Sequence, residues 1–326
     1  KVLDKAREER GGISFESEEA KFIFNAERRI ERIEQTQRND AHKLIEECMI
    51  LANISAARFV EKAQEPALFR IHDNPTTEAI TSFRTVLAEL GLELPGGNKP
   101  QPRGYAELLT SIADGPGAEM LQTMLLRSMK QAVYDPENRG HFGLALQSYA
   151  HFTSPIRRYP DLVVSRALTA KLTGQPAPLT GEALADAAVR SSERERAAID
   201  AERAADKLMM ARLMAHHVGE DYDGTINGVS EYGMYITLSN GAEGFVPVRT
   251  LEDWFGFDER RMLLRGERTG TVFSLGQPVR VKVQNVELTQ CNIDLTLLTP
   301  LKGRAASGQR SERKQERDRM RGFNRS

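Results

Sequence analysis

The composition of this 326-residue chain changes abruptly near Asp223, and that break limits its fold more than any other feature. Upstream, apolar residues recur every three or four positions. Downstream, residues 223–298 are punctuated by glycine, and short alternating runs replace the helical period: DGTINGVSEYGMYITLSNGAEGFVPV, then VRVKVQNVELTQCNIDLTLL. A period of two between turn glycines dictates strands. About five strands in this length suit a small closed barrel of the OB type. The pattern predicts an α+β chain: a helix-rich domain over 1–218, a five-stranded OB-type barrel over 219–300 and a basic tail over 301–326.

Within the first region, Asn39-Asp40 opens a helix whose face carries Leu44, Ile45, Cys48, Met49, Ala52 and Ala56, running to about residue 59. Residues 74–90 predict a helix stopped by Gly91, 95–104 a loop, and 119–133 a helix ended by Asp135-Pro136. A further helix reaches about residue 172, and 173–180 forms a connector. The alanine-rich, evenly charged 182–217 is helical in one or two pieces, with His216-His217 at its end. Residues 11–25 read as strand material through the alternation of Ile13 and Phe15, whereas 28–37 fits a helix or a strand equally. Between the barrel strands, 249–270 forms a longer insert expected to cap the barrel with Trp254 and Phe255.

Charge and cysteine content narrow the class. The net charge is −1, but 302–326 holds nine Lys+Arg against three Asp+Glu, which leaves the rest at −7. An acidic body with an arginine-rich, unpatterned tail binds nucleic acid, if at all, through local patches. The tail is expected to be disordered. No apolar run is long enough for a membrane helix, and the charged start lacks the apolar segment of a signal peptide. Cys48 and Cys291 lie far apart without metal-ligand spacing, so buried, reduced thiols in a cytoplasmic protein are expected.

Residues 140–162, GHFGLALQSYAHFTSPIRRYPDL, concentrate the chemistry. Phe142, Leu144 and Leu146 alternate as a half-buried strand does, and Ser154-Pro155 fits an N-cap followed by proline at the first helical position. Arg157 and Arg158 then fall in the first turn, where exposed N–H groups already attract anions. Two guanidiniums there suit a phosphate cradle. A surface turn whose arginines pair with Asp161 is an equally open alternative.

These residues resemble the signature of the RNB family, the ribonuclease II group of exoribonucleases. YDPENRGHFGLALQSYAHFTSPIRRYPDL carries the resemblance most strongly, and REERGGISFESEEAKFIFNAERRIERIEQTQRNDAHKLIEECMILANISAARFVEKA extends it. It covers most of 1–172, is loose over 173–218, and resumes in the barrel, which is similar to the S1 RNA-binding module. The resemblance implies processive hydrolysis of RNA from its 3′ end to nucleoside 5′-monophosphates, with a divalent metal, magnesium expected. It implies single-stranded RNA and the 3′ overhangs of structured RNA as partners, and leaves room for the ribosome or RNA-quality-control factors. No membrane role is expected.

The family binds its metals through several aspartates within about ten residues. The aspartates here are scattered; Asp221/Asp223 and Asp200/Asp206 come nearest, and both pairs are better explained as a linker and a solvated helix face. The chain therefore reads as the C-terminal portion of an RNB domain, inactive without its N-terminal half. A non-catalytic RNA-binding or adaptor fragment of the same fold is the alternative.

By resemblance, Arg157 is the catalytic arginine at the scissile phosphate, where its planar fork engages two phosphate oxygens. Arg158 is either a second phosphate contact or a structural ion pair. Ser154 is a phosphate donor or simply a cap; Tyr159 and Tyr149 stack on the substrate or, preferably, pack in the core. Glu46 or Glu47 matches a family glutamate near the 3′-terminal nucleotide, able to accept from a 2′-hydroxyl, unless both are merely solvated. Glu202 matches another such glutamate loosely. His141 and Asn138 are expected to form turns within the fold. In the barrel, Tyr232, Tyr235 and Phe245 are candidate base-stacking residues, at least one of them expected in the core, and Lys282, with Arg280, projects from one strand face towards phosphates. Pro247 stands where the family usually has a histidine.

Overall fold

A computed structural model describes residues 1–13, 19–28, 30–36, 39–113, 118–259 and 261–301. Phe15 and the tail over 302–326 lie outside the described residues. The chain divides into two compact units: Lys1–Glu19 with Gln35–Ala204, and Ala20–Glu34 with the chain from Ala205 onward.

In the first unit, α1 (Val2–Arg10) is followed by α2 (Asp40–Lys62). Asn39 caps α2 by accepting from the amides of Ala41 and His42, and the His42 ring returns the bond to the Asn39 N–H. The two-stranded sheet of β1 (Glu19–Phe24) and β2 (Ile30–Thr36) falls largely in the second unit, while β3 (Phe69–Ile71) and β4 (Val133–Asp135) pair antiparallel in the first. Within the ambiguous 28–37 segment, Ile30–Thr36 is thus a strand. Helices α3 (Thr77–Glu89), α4 (Pro102–Ile112) and α5 (Ala118–Ser128) build one core around Phe83, Leu87, Tyr105, Leu108 and Leu125. Helix α4 starts inside the stretch expected to be a loop, because Pro102 is pre-organised for a first helical turn. Helix α5 ends at Ser128, earlier than the expected 133, because Val133–Asp135 is taken by β4.

Helix α6 (Tyr159–Thr173) packs on α2 through Ala56, Val60, Val164 and Ala167. It ends at Gly174 in the left-handed conformation. Helix α7 (Gly181–Met214) is one continuous 34-residue helix, and its first half buries Leu184 and Ala188 against Leu68, Tyr134 and Val163.

In the second unit, β5 (Asp221–Ser230), β6 (Gly233–Leu238), β7 (Glu243–Pro247), β11 (Pro278–Glu287) and β12 (Asn292–Leu297) close a barrel in the order β11-β12-β7-β6-β5. All neighbours are antiparallel except β7 and β12. Ile226, Met234, Ile236, Val246, Val281, Val283 and Leu295 fill it, as the period of two requires. The insert forms its own three-stranded sheet of β8 (Phe255–Asp258), β9 (Leu263–Gly266) and β10 (Val272–Ser274). Trp254 is 83 % exposed, so it caps nothing within this unit; Phe255 instead meets Phe273 at 5.5 Å. The thiols also differ from expectation: Cys48 is exposed and Cys291 half-buried, because position 48 lies on the outer side of α2.

The β5–β6 turn depends on Gly233, which has φ +154° and would drive a Cβ into the Val246 carbonyl and the Phe245 ring. Gly233→Ala should destabilise the barrel by more than about 1 kcal/mol. A lowered urea midpoint for the barrel transition is expected; an unchanged midpoint would contradict this packing.

Candidate functional site

The signature segment supplies one or more residues to each of four core clusters: Phe142 with α3–α5, Ala150 between α2 and α6, Tyr134 under α7, and Leu146 with Tyr149 against Ile50 and Ile54. Its first part is not a strand. His141 and Leu146 exchange backbone bonds of 2.8 and 3.1 Å, closing a tight loop that needs Gly140 at φ +79° and Ala145 at φ +51°. The alternation of Phe142, Leu144 and Leu146 therefore reflects a bridged turn.

The arginine-bearing part is also built differently from the expected cap. Residues 154–158 form a turn before the helix, with the Arg157 and Arg158 amides donating to the Ser154 carbonyl at 3.3 and 3.0 Å. Helix α6 begins only at Tyr159, with Arg158 at the N-cap position and Pro160 in the first turn. The cause is Asp161. Its fully buried carboxylate accepts from the Ser154 amide at 2.7 Å and from Arg158 Nη2 at 2.8 Å, drawing the turn back onto the helix. On the other side, the buried Asn53 side chain of α2 accepts from the amides of Phe152 and Thr153 at 2.9 and 3.2 Å and donates to the Tyr149 hydroxyl at 3.0 Å.

Behind the turn runs a chain of edge-to-face rings: His72, His141, Tyr149, His151 and Tyr134, with centroids 5.1–5.7 Å apart. The Tyr134 hydroxyl meets His151 Nδ1 at 2.8 Å, and the Tyr134 ring lies under the Arg70 guanidinium at 4.6 Å. Arg70 pairs with Glu195 of α7 at 2.6 Å. Burial, reinforced by Arg158 and Arg70, pushes the His151 imidazole down to about 2. Burial and the neighbouring His72 push His141 down to about 3. Burial also raises the Tyr134 hydroxyl to about 12. The rings under the turn are thus neutral at physiological pH.

The candidate residues separate in this setting. Arg157 is exposed and makes no ion pair among the described residues, on a projecting turn beside the fully exposed Ile156. Of the two alternatives for Arg158, the ion pair is present in the fold. Ser154 is held through its backbone and caps no helix. Tyr149 is buried in the core, but Tyr159 is 49 % exposed, against the preference for packing. Glu46 and Glu47 are not merely solvated: Arg7 Nη1 bridges them at 3.1 and 2.9 Å, and Glu47 is buried. Glu202 is exposed on α7. His141 and Asn138 serve the turns, Asn138 by binding the Gly140 amide and the Gln147 carbonyl.

On the barrel, Tyr235 and Phe245 are cross-strand partners with rings 4.9 Å apart, over Gly228, which leaves room for the Tyr235 ring. Tyr232 is 73 % exposed. None of the three is in the core, contrary to expectation, because all lie on the outward side of their strands or in the turn. Lys282 and Arg280 do share the outward face of β11, where Lys282 meets Asp221 at 3.5 Å and Arg280 lies 3.9 Å from both Asp221 and Asp223. Among the described residues, no group of three or more His, Cys, Asp or Glu is placed to hold a metal ion.

Asn53, Tyr134, Arg70 and Asp161 are the supporting residues that pattern reading overlooks. Asn53 alone leaves a trace, a lone amide on the apolar face between Ile50 and Ile54.

An α+β domain whose turn leaves Arg157 without an ion pair among the described residues, together with an OB barrel bearing surface aromatics, is the construction of a nucleic-acid-binding protein. The RNB domain family matches residues 1–174, and the S1 RNA binding domain family matches 215–298. The chain belongs to the RNB family. It is 62 % identical to Ribonuclease R of Escherichia coli (strain K12) over 92 % of this chain and 38 % of that protein. It is 36 % identical to Ribonuclease R of Aquifex aeolicus over 92 % of this chain and 43 % of that protein. The chain thus spans well under half the length of these relatives. Among solved structures, Mycoplasma genitalium RNase R in complex with ribose methylated single-stranded RNA superposes with a TM-score of 0.83 at 25 % identity, covering 91 % of this chain and 48 % of that one. Yeast Ssd1, described as a pseudonuclease, gives 0.58 at 25 % identity over 70 % and 29 %.

The depressed histidines make stability depend on pH. Their folded pKa values lie below the unfolded value near 6.5, so the unfolded chain binds more protons between about pH 6.5 and 3. Stability should therefore fall on acidification through that window, by at most about 1.4 kcal/mol per pH unit for each of His141 and His151. Urea denaturation at pH 7 and pH 5 checks this, and His151→Gln should flatten the slope. Equal stability at both pH values would contradict neutral, buried rings.

Proposed function

We propose that this chain forms part of a processive hydrolytic 3′-to-5′ exoribonuclease that degrades RNA, structured RNA included, to nucleoside 5′-monophosphates. The observation that carries this reading is Arg157: an exposed guanidinium without a carboxylate partner among the described residues, on a turn fixed by buried bonds at both ends. Hydrolysis of a phosphodiester builds negative charge on the phosphoryl oxygens, and a pre-positioned planar fork stabilises it. Arg157 is the proposed catalytic residue.

In the same proposal, Tyr235 and Phe245 stack on bases of single-stranded RNA or a 3′ overhang, Lys282 contacts the backbone, and one of Glu46 and Glu47 reads a 2′-hydroxyl. Magnesium dependence belongs to the proposal through the family alone; no ligand for the metal is assigned on this chain. The proposed setting is cytoplasmic.

A second reading, an RNA-binding or adaptor protein without catalysis, has a specific observation behind it. Among the described residues no group of three or more His, Cys, Asp or Glu is placed to hold a metal ion, and one structural relative is described as a pseudonuclease. A 5′-labelled single-stranded RNA with magnesium separates the two. Stepwise 3′ shortening by this chain supports catalysis, and binding without cleavage supports the second reading for the chain alone.

Arg157→Ala, made at the equivalent position of a full-length relative, should lower turnover by two orders of magnitude or more, about 3 kcal/mol, with a smaller loss of RNA affinity. Turnover within a few-fold of wild type would remove Arg157 from the site.

A further inference from the structure

Beside the arginine turn, the start of α6 and the first turns of α7 enclose an open groove of about 500 Å³, lined among others by Tyr159, Leu179, Ala183, Asp186, Arg190 and Arg194. This is within the size range of small-molecule sites. Residues 183, 186, 190 and 194 recur at helical spacing, so they share one face of α7. The adjacent face of α7 is pinned inward: Leu184 and Ala188 are in the core, the Ser192 hydroxyl accepts from the Tyr134 amide at 2.9 Å, and Glu195 holds Arg70. The groove wall therefore stands in a fixed register relative to β4 and the arginine turn.

The three kinds of group in it are complementary to one ligand class. The Tyr159 ring, half exposed and without a hydrogen bond among the described residues, offers a flat apolar face to a base. Arg190 and Arg194 are exposed, make no ion pair among the described residues, and offer two forks to a phosphate. Asp186 is an acceptor for sugar hydroxyls, while Leu179 and Ala183 provide an apolar floor. A bare anion would leave the ring and the carboxylate without a role, and an apolar ligand would leave the arginines without one.

We propose that this groove binds a ribonucleotide 5′-phosphate, with the base on Tyr159, the phosphate on Arg190 and Arg194, and the ribose diol on Asp186. The proposal deepens the exoribonuclease reading and rests on it for the source of the nucleotide. A released nucleoside 5′-monophosphate and a terminal nucleotide still within RNA share this chemistry. Tyr159, two residues after Arg157 in the chain, lines the groove.

Calorimetric titration of this chain with AMP, adenosine and a 5′-phosphorylated RNA hexamer tests the assignment. The comparison is with the Arg190→Ala/Arg194→Ala double variant and with Tyr159→Ala, all with Arg157 intact. Saturable AMP binding is expected, at least tenfold weaker for adenosine, for the double variant and for Tyr159→Ala, and weakened by salt. The replaced side chains are exposed, so thermal midpoints should be nearly unchanged and loss of folding would be visible. AMP binding that depends on the arginines identifies free nucleotide as the ligand; dependence seen only with the hexamer identifies a nucleotide within RNA. Affinities for both ligands that differ by less than twofold between wild type and the double variant, or the absence of AMP binding together with arginine-independent hexamer binding, overturn the site. Turnover of the Arg157 variant fails or holds separately, since the groove is read by binding to chains that retain Arg157.

Discussion

The buried carboxylate of Asp161 is the constraint on which the signature depends. A fully buried charge costs several kcal/mol unless it is paired and hydrogen-bonded, and Asp161 offsets part of that cost through Oδ1, which takes Arg158 and the Ser154 amide together. The consequence is asymmetric. One acid is shared by a turn that carries two arginines, so Arg158 becomes structural and Arg157, one position earlier and outside the helix, is left exposed and unpaired among the described residues. Local neutrality is satisfied at the base of the turn and left unsatisfied at its tip, which is where an incoming anion would meet it.

Support for that tip comes from distant parts of the chain. Asn53 grips the turn across about a hundred residues of sequence, and the chain of rings from His72 to Tyr134 links the turn to β3 and β4. Keeping these histidines neutral matters for the same reason. A protonated His151 beside Arg157, Arg158 and Arg70 would add a fourth cation to the site, where Arg158 pairs with Asp161 and Arg70 with Glu195. Burial places the ring as a neutral hydrogen-bonding spacer beneath the guanidiniums.

Legibility in the sequence followed the range of the deciding interaction. The barrel was readable because its period of two and its turn glycines are local, and α2 because Asn39 caps it within three residues. Resemblance to the RNB family drew attention to Arg157. What escaped was set at a distance. Phe142, Leu144 and Leu146 alternate, yet bonds from His72 and the positive φ of Ala145 fold them into a loop. Ser154-Pro155 has the chemistry of a cap, yet Asp161, seven residues on, moves the helix start to Tyr159. Val133 continues a helical pattern, yet pairing with Ile71 makes it a strand. In each case a tertiary partner outweighed a local preference of about 1 kcal/mol or less.

The barrel divides its labour differently from the arginine turn. Lys282 and Arg280 are already opposed by Asp221 and Asp223 within 4 Å. A phosphate approaching that face must displace or outcompete carboxylates in an exposed setting where each ion pair is worth little, so net electrostatic attraction there is small. Tyr235 and Phe245, packed against each other across the sheet and free of such competition, offer flat surfaces that any base can use. With the chain excluding its tail at −7, the proposed grip on RNA follows from local geometry: sequence-tolerant stacking on the barrel, and an exposed guanidinium at Arg157 that makes no ion pair among the described residues.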